Sequence, residues 1–123
     1  MTRQTSQRSA IEQVIQDSDR PMGIDEILSK GKEIVESLNQ ATVYRNVKLL
    51  LDCGTVRQIL HPTQGTLYET AEKDHHHHFH CHGCNKVYDV PGCALKEDGI
   101  APKGFVVEDH EVFLYGKCPE CSG

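Results

Sequence analysis

The sequence predicts an α+β chain, and three observations indicate that class. Within residues 1–52, apolar side chains recur at three- and four-residue steps, the period of helices with one buried face. Two β-rich runs, TVRQIL and TLYET, follow Gly54 and flank a turn-rich connector. Beyond residue 72, short β runs alternate with Cys-x-x-Cys pairs. The predicted order is therefore helices, then a hairpin, then a small β-rich unit.

Three helices are predicted in the first half of the chain. Their apolar positions are Ile11, Val14 and Ile15, then Ile24, Ile27 and Leu28, then Val43, Val47, Leu50 and Leu51. Thr5 or Ser6 is the expected N-cap of the first helix, Gly23 starts the second, and Asn39 caps the third. Gly54 fits the left-handed residue that ends the third helix.

The third helix carries a polar face. We expect this face to be exposed; its residues are Gln40, Thr42, Tyr44, Arg45 and Lys48. Three short helices followed by a hairpin is the order of a winged helix-turn-helix, in which the third helix enters the DNA major groove. The same order also occurs in plain interaction modules, so the order alone leaves both interpretations open.

Two Cys-x-x-Cys pairs predict a structural zinc site. The pairs are Cys81/Cys84 and Cys118/Cys121. Zn²⁺ accepts four sulfurs tetrahedrally, and two-residue spacing lets one tight turn present two of them. The alternatives are two disulfides, for which a Cys-His-Gly-Cys turn has poor geometry, and an iron-bearing electron carrier of the rubredoxin type.

A run of histidines leads directly into the first of these pairs. If residues 75–81 form a strand, alternate side chains face opposite ways, so His76, His78 and His80 share one face and His75 and His77 the other. Paired imidazoles with carboxylates nearby suit a divalent ion such as Zn²⁺, Fe²⁺ or Mn²⁺. The alternative is a solvated polar strand.

Length and charge set the expected organisation. The 123 residues suit two small domains, predicted at 1–71 and 72–123, which a zinc staple would stabilise. The net charge is −5, but residues 1–62 carry eight basic and eight acidic residues, so the acidic excess lies in the second half. With no apolar run long enough for a membrane and no signal peptide, we expect a cytoplasmic protein without a membrane partner.

The second half supplies further β runs. They are expected at Lys86–Val90, Phe105–Val107 and Val112–Tyr115, with a helical or irregular stretch over Pro91–Pro102. Such a small sheet cannot bury both of its faces, so an apolar face is left for a second copy of the chain. Of the two remaining thiols, Cys53 is expected in the core, and Cys93 as an extra ligand or a redox-sensitive thiol.

With these residues in view, the chain resembles the ferric uptake regulator family of metal-dependent transcriptional regulators. The resemblance runs from about Arg3 to Cys121. Its carriers are the segments 5–8 (TSQR), 41–46 (ATVYRN), 75–81 (HHHHFHC) and 110–121 (HEVFLYGKCPEC). It implies an N-terminal winged helix-turn-helix, a small α/β dimerisation domain with a four-cysteine zinc site, and a homodimeric repressor that binds double-stranded promoter DNA.

The resemblance also implies roles for particular residues. The structural zinc ligands would be Cys81, Cys84, Cys118 and Cys121. The regulatory metal ligands would be Glu69, His76, His78 and Asp89, and the accessory metal ligands His75, His77 and His110. DNA contacts would come from Arg3, Arg8, Thr42, Tyr44 and Arg45. By this resemblance, a metal held between the domains fixes the distance between the two reading helices of a dimer.

Two departures from the family pattern concern the metals. The segment Asp19–Met22 lacks the histidine that many members place before the second helix, and Lys117 stands where some relatives have a histidine ligand. The aspartate at position 89, where other branches often carry glutamate, resembles the peroxide-sensing branch, whose Fe²⁺ site oxidises its own histidines. Iron sensing and zinc sensing stay open as alternatives. The competing class is a small zinc-dependent enzyme, although the chain lacks a His-Glu-x-x-His motif and any sign of a small-molecule substrate site.

Overall fold

Three helices and two small sheets make up most of the structure, a computed structural model that describes residues 3–73, 76–93 and 100–122, with side chains from residue 6 onward. The chain divides into two compact units, Met1–Lys73 and Asp74–Gly123. The first contains α1 (Arg3–Asp17), α2 (Ile24–Lys32), α3 (Gln40–Asp52), β1 (Val56–His61) and β2 (Gly65–Thr70). The second contains β3 (His76–Cys81), β4 (Val87–Pro91), β5 (Phe113–Gly116) and a short α4 (Pro119–Ser122). Among the described residues, no helix has the length and apolarity needed to cross a bilayer.

The core of the first unit is built from the apolar faces of its helices. The predicted positions Ile11, Val14, Ile15, Ile24, Ile27, Val43, Val47 and Leu50 are buried in one cluster, and Leu28 and Leu51 pack against it partly buried. Tyr68 from β2 and Met22 from the segment before α2 complete this cluster. Burial of such side chains is the main stabilising contribution to a unit of this size.

The ends of the helices confirm two predictions and correct a third. The Asn39 side chain accepts a hydrogen bond from the backbone N–H of Thr42 at 2.9 Å, as an N-cap does. Gly54 has φ 78°, the left-handed conformation that stops α3. The predicted cap of the first helix is wrong, because α1 already begins at Arg3 and both Thr5 and Ser6 lie inside it. Nothing in residues 3–5 breaks a helix, so the helix extends past them.

The hairpin pairs β1 and β2 antiparallel, from Val56 opposite Thr70 to His61 opposite Gly65. His61 Nδ1 closes the turn by accepting the backbone N–H groups of Thr63 at 3.1 Å and Gln64 at 3.0 Å. A bridge joins Tyr68 to Met22, which precedes α2. Three helices and an attached hairpin confirm the predicted winged helix-turn-helix order.

The second unit is a three-stranded sheet in the order β4-β3-β5. Strand β3 pairs antiparallel with β4 and parallel with β5, so the histidine strand is the central one. The strand predicted at Phe105–Val107 is wrong, since these residues are irregular and Val106 is 87% exposed. A β-rich run forms a strand only where it meets a partner edge and a packing face. Within the stretch expected at Pro91–Pro102, residues 94–99 lie outside the described part.

Candidate metal centre and nucleic-acid interface

The four predicted zinc ligands come together at one end of the second unit. Cys81 is the last residue of β3, Cys84 lies on the turn that follows it, and Cys118 and Cys121 bracket the start of α4. Their sulfurs all lie within 4.8 Å of one another. Sulfurs bound at about 2.3 Å to one tetrahedral zinc are separated by about 3.8 Å. The spacing therefore fits a four-cysteine zinc site with only small adjustments.

The thiol protons indicate why a dication belongs there. The backbone N–H of Cys118 donates to Cys81 Sγ at 3.3 Å, and backbone hydrogen bonds from Cys118 and then Cys84 lower the pKa of Cys81 to about 6. Hydrogen bonds with Cys81 and Cys118 raise the pKa of Cys121 to about 12. These hydrogen bonds thus favour the thiolate at Cys81 and the protonated thiol at Cys121. Zinc would replace that proton and crosslink the two turns.

Gly83 lets the two turns approach each other. A Cβ at this position would lie 2.6 Å from Cys121 Sγ and 2.8 Å from Cys121 Cβ, closer than real contacts allow. We expect Gly83→Ala to weaken zinc binding by about tenfold or more, since overpacking costs about 1–3 kcal/mol. Competition with a chromophoric chelator measures this change. Gly23→Ala, whose Cβ would make only ordinary contacts at 3.7 Å and 4.0 Å, is the control and should leave zinc affinity unchanged.

A second cluster lies on one face of the histidine strand. His76 and His78 are two residues apart on β3, and Asp89 lies opposite His78 on β4. Their Nε2 atoms are 3.5 Å and 3.6 Å from Asp89 Oδ1, and their ring centroids are 4.9 Å apart. Donors on one tetrahedral ion at about 2.1 Å are separated by about 3.4 Å. The three side chains therefore fit a divalent ion, with imidazole and carboxylate donors.

Glu69, the fourth residue in the predicted regulatory set, belongs to β2 in the first unit. Its carboxylate is buried, accepts hydrogen bonds from Arg57 at 2.7 Å and 2.9 Å, and lies 3.6 Å from Lys73 Nζ. A buried carboxylate needs such partners, because desolvation of a lone charge is costly. These two cations hold Glu69 near the end of the hairpin.

A third cluster lies on the opposite face of β3. The Nε2 atoms of His77 and His110 are 3.2 Å apart, and Cys93 Sγ is 3.1 Å from each of them. This alternation along β3 confirms the predicted separation of His77 from His76. His75, the other predicted accessory ligand, lies outside the described residues. Cys93 was not placed with this pair from the sequence, because a cysteine without a second one nearby does not indicate which residues it meets.

The remaining thiol corrects a prediction. Cys53 is exposed and caps the C-terminal end of α3 rather than lying in the core. Position 53 follows Leu50 by three residues, so the helical period places it on the buried side. Because α3 ends at Asp52, Cys53 is the C-cap beyond the last helical residue, where nothing buries it.

The polar face of α3 presents two of the predicted DNA contacts. Tyr44 is 52% exposed and Arg45 is exposed beside it. Thr42, expected on the same face, is buried instead, and its Oγ1 accepts a hydrogen bond from Arg45 Nη2 at 3.3 Å. The buried stripe of α3 is wider than its apolar pattern, because it also includes Asn46. Thr42 therefore positions Arg45.

Arg8 is connected to this face from α1. Its Nε donates to Asn46 Oδ1 at 3.4 Å, and Asn46 Nδ2 donates to the backbone oxygen of Thr42 at 2.9 Å. The exposed guanidinium of Arg8 is thereby held beside α3. Arg3 belongs to α1, and its side chain lies outside the described part.

Comparison with known proteins identifies the family. The model of the Ferric uptake regulator family matches residues 1–115. The chain is 32% identical over 123 residues to the Ferric uptake regulation protein of Campylobacter jejuni, covering 96% of this chain and 78% of that protein. It is 30% identical to the Peroxide operon regulator of Bacillus subtilis, covering 96% and 83%. A zinc-bound manganese uptake regulator has the same fold, with a TM-score of 0.81 at 28% identity over 95% of this chain and 91% of that one.

These relatives are regulators rather than enzymes, so the zinc-enzyme alternative is not favoured. Known structures of the family bind zinc, iron or manganese, and the cysteine and histidine clusters of this chain fit metal binding. Family members bind DNA and form dimers. The chain belongs to the ferric uptake regulator family of metal-responsive transcriptional regulators.

Proposed function

We propose that this chain is a homodimeric repressor that binds promoter DNA in the cytoplasm when a regulatory divalent ion occupies His76, His78 and Asp89. The observation that carries the proposal is the convergence of these three side chains on one face of β3, with Nε2 to Oδ1 distances of 3.5 Å and 3.6 Å. Two imidazoles and a carboxylate are a ligand set for Zn²⁺, Fe²⁺ or Mn²⁺. Occupancy of this site would therefore depend on the concentration of such an ion and would control DNA binding by the helices.

In this proposal, residues 1–71 form the DNA-binding domain. Arg45 can bond a guanine edge bidentately in the major groove, and Tyr44 can pack on a thymine methyl group. Arg8 and Arg3 would contact phosphates or the minor groove. The hydrogen bond between Thr42 and Arg45 and the contact between Arg8 and Asn46 support this assignment, because they hold the cationic groups beside the start of α3.

Residues 72–123 would form the dimerisation domain, and Glu69 would supply a fourth ligand from the first domain. An ion bound by both domains would fix the angle between them across the charged hinge at residues 71–74. In a two-fold dimer this angle sets the separation of the reading helices, which must match half-sites about 34–36 Å apart. The ion thus favours the DNA-competent arrangement, and by linkage DNA favours ion binding equally. Arg57 and Lys73, which form ion pairs with Glu69, would compete with the ion for it.

The donor atoms limit the kinds of ion that this site would bind. Asp89 is a hard ligand that suits Fe²⁺ or Mn²⁺, while the imidazoles also suit Zn²⁺. Because Asp19–Met22 offers no imidazole, a coordination position stays open for water or another small ligand. Iron at such a site could react with peroxide, and the likeness to the Peroxide operon regulator of Bacillus subtilis favours this second candidate.

Promoter binding with and without metal tests the proposal. Duplex fragments captured from genomic DNA by the metal-loaded protein would serve as ligands for titrations with Mn²⁺, Zn²⁺ and anaerobic Fe²⁺. We expect the wild-type protein to bind them tightly only with metal. Arg45→Ala should weaken DNA binding by about 1–3 kcal/mol at every metal concentration. His76→Ala should abolish the metal dependence.

Lys103→Ala, which changes an exposed cation of the second unit, is the matched control for Arg45→Ala and should bind DNA as the wild type does. Loss of binding after hydrogen peroxide treatment, with Fe²⁺ but not Mn²⁺ bound, would select the peroxide-sensing candidate. Binding that is independent of metal and sequence, and unaffected by either variant, would contradict the proposal.

A further inference from the structure

We propose that Tyr88 is a positioning residue of the four-cysteine zinc site, and that its phenol O–H donates a hydrogen bond to the Cys84 thiolate and protects it from oxidation. The Tyr88 Oη and Cys84 Sγ atoms are 3.6 Å apart, a distance at which an O–H group bonds to sulfur. Both residues belong to the second unit. The inference rests on the zinc assignment of the four cysteines and is independent of the regulatory ion proposed above.

The backbone of the first cysteine turn brings these two side chains together. Asn85 has φ 60°, a left-handed conformation that reverses the direction of the chain. Two backbone hydrogen bonds close the turn, from the Asn85 N–H to the Cys81 carbonyl at 2.9 Å and from the Cys81 N–H to the Lys86 carbonyl at 3.0 Å. Strand β4 follows at once, and Tyr88 on this strand lies beside the sulfur that Cys84 presents from the turn.

The sheet holds the ring of Tyr88 while the hydroxyl group reaches the sulfur. Tyr88 pairs with Phe79 on β3, and both side chains line a cavity of about 490 Å³ whose lining also includes Val90 and Cys118. Tyrosine suits such a position, because its ring packs on apolar neighbours and its O–H group takes a polar partner. Since the ring borders a cavity, Tyr88→Phe removes the donor without leaving a void in a packed core.

Zinc binding decides which atom of this pair donates. A thiol and a phenol can each donate, so the contact alone leaves the direction open. Zinc binds cysteine as the thiolate, which has no proton, so the phenol of Tyr88 must then be the donor. Four thiolates around one Zn²⁺ leave an excess of negative charge, and a donor to Cys84 stabilises that charge.

Cys84 is the ligand that such a donor protects best. It is exposed, whereas the other three cysteines of the cluster are buried or half-buried. Hydrogen peroxide would therefore react there first: the thiolate sulfur bonds to one peroxide oxygen, the O–O bond breaks and hydroxide leaves. A second thiolate of the cluster, such as Cys81, then displaces hydroxide from the sulfenic acid and forms a disulfide. Two thiolates are oxidised, one peroxide is reduced to two hydroxide ions, and zinc is released.

The hydrogen bond from Tyr88 would slow the first of these steps. It draws electron density from the Cys84 sulfur, and a less basic thiolate is a weaker nucleophile. The donor is in place before the oxidant arrives, because the pairing of β4 with β3 fixes the ring.

Zinc release under peroxide tests this role. Full-length protein carrying about one zinc per chain is exposed to hydrogen peroxide, and a chromophoric chelator in excess records the released zinc. We expect Tyr88→Phe to release zinc about tenfold faster than the wild type, the effect of one hydrogen bond to a charged group. Tyr115→Phe is the matched control. Tyr115 pairs with His80 rather than with Phe79, so it lies on the other face of the sheet and should release zinc at the wild-type rate.

Absorption of the cobalt-substituted site gives a readout that packing alone would not change. A hydrogen bond stabilises the sulfur lone pair, so its loss in Tyr88→Phe should move the thiolate-to-cobalt charge-transfer band to longer wavelength. Tyr115→Phe should keep the wild-type band. If either the release rate or the band of Tyr88→Phe matched the wild type, the proposal would be overturned. Full zinc content in Cys81→Ser would instead contradict the zinc assignment itself, and with it this role of Tyr88.

Discussion

Replacing Cys81 with serine should remove zinc from the second unit and unfold that unit. Among its described residues, the buried hydrophobic side chains are Cys81, Val87 and Cys118, and two of these three belong to the predicted zinc site. A unit of this size buries too little apolar surface to be stable by packing alone. Structural zinc contributes apparent binding energies of about 10–16 kcal/mol at neutral pH, and this energy becomes folding energy.

Zinc analysis and limited proteolysis would measure the effect. We expect Cys81→Ser to lose its structural zinc and to be cleaved rapidly beyond residue 74. The first unit should stay folded, since its cluster around Ile11, Ile27 and Val43 is independent of metal. Cys53→Ser, an equally small change at an exposed thiol, should keep both zinc and protease resistance. A Cys81→Ser protein with full zinc content and unchanged thermal unfolding would contradict the assignment.

Replacing His78 with alanine should lower the affinity for the regulatory ion by more than the roughly 10- to 100-fold that a supporting residue contributes. His78 is buried at the centre of the sheet, and its Nε2 lies 3.6 Å from Asp89 Oδ1. The variant leaves one imidazole and one carboxylate, which hold a divalent ion weakly. Mn²⁺ titration of zinc-loaded protein, followed by calorimetry, measures the loss.

His82→Ala is the matched control for that variant. His82 is an exposed histidine just after β3, and its ring stacks on Tyr115 with centroids 6.2 Å apart. It belongs to none of the three clusters of the described residues. Its removal should leave Mn²⁺ affinity unchanged. Equal losses in His78→Ala and His82→Ala would show that the histidine strand acts as a diffuse charge rather than as a defined site.

Much of the fold could be predicted because its signals are local. The Asn39 cap depends on residues within one helical turn, and the period of two in the histidine run placed His76 and His77 on opposite faces. Phe105–Val107 has strand composition, but strand formation depends on a partner edge that no local pattern describes. The predicted exposure of Thr42 was wrong for a similar reason, since its burial depends on how α3 packs and not on its own polarity.

The metal sites differ in the same way: one could be predicted from local spacing and another could not. Paired cysteines indicate a zinc site by their spacing, because each pair forms a turn by itself. Cys93 follows β4, and His110, seventeen residues further along the chain, precedes β5. Only the pairing of these two strands with β3 brings both residues to His77. The resemblance supplied two histidines of this cluster but not the thiol. A contact that neither the spacing nor the resemblance assigns becomes visible only when the sheet is assembled.

The most direct test of the proposed switch is the affinity for the regulatory ion measured with and without captured promoter DNA. If the ion sets the DNA-competent arrangement, DNA should tighten Mn²⁺ binding by about 5- to 150-fold, and Mn²⁺ should tighten DNA binding by the same factor. His78→Ala should lose this coupling while it keeps the metal-free DNA affinity. Equal Mn²⁺ affinities with and without DNA, in a protein that binds both, would contradict the account.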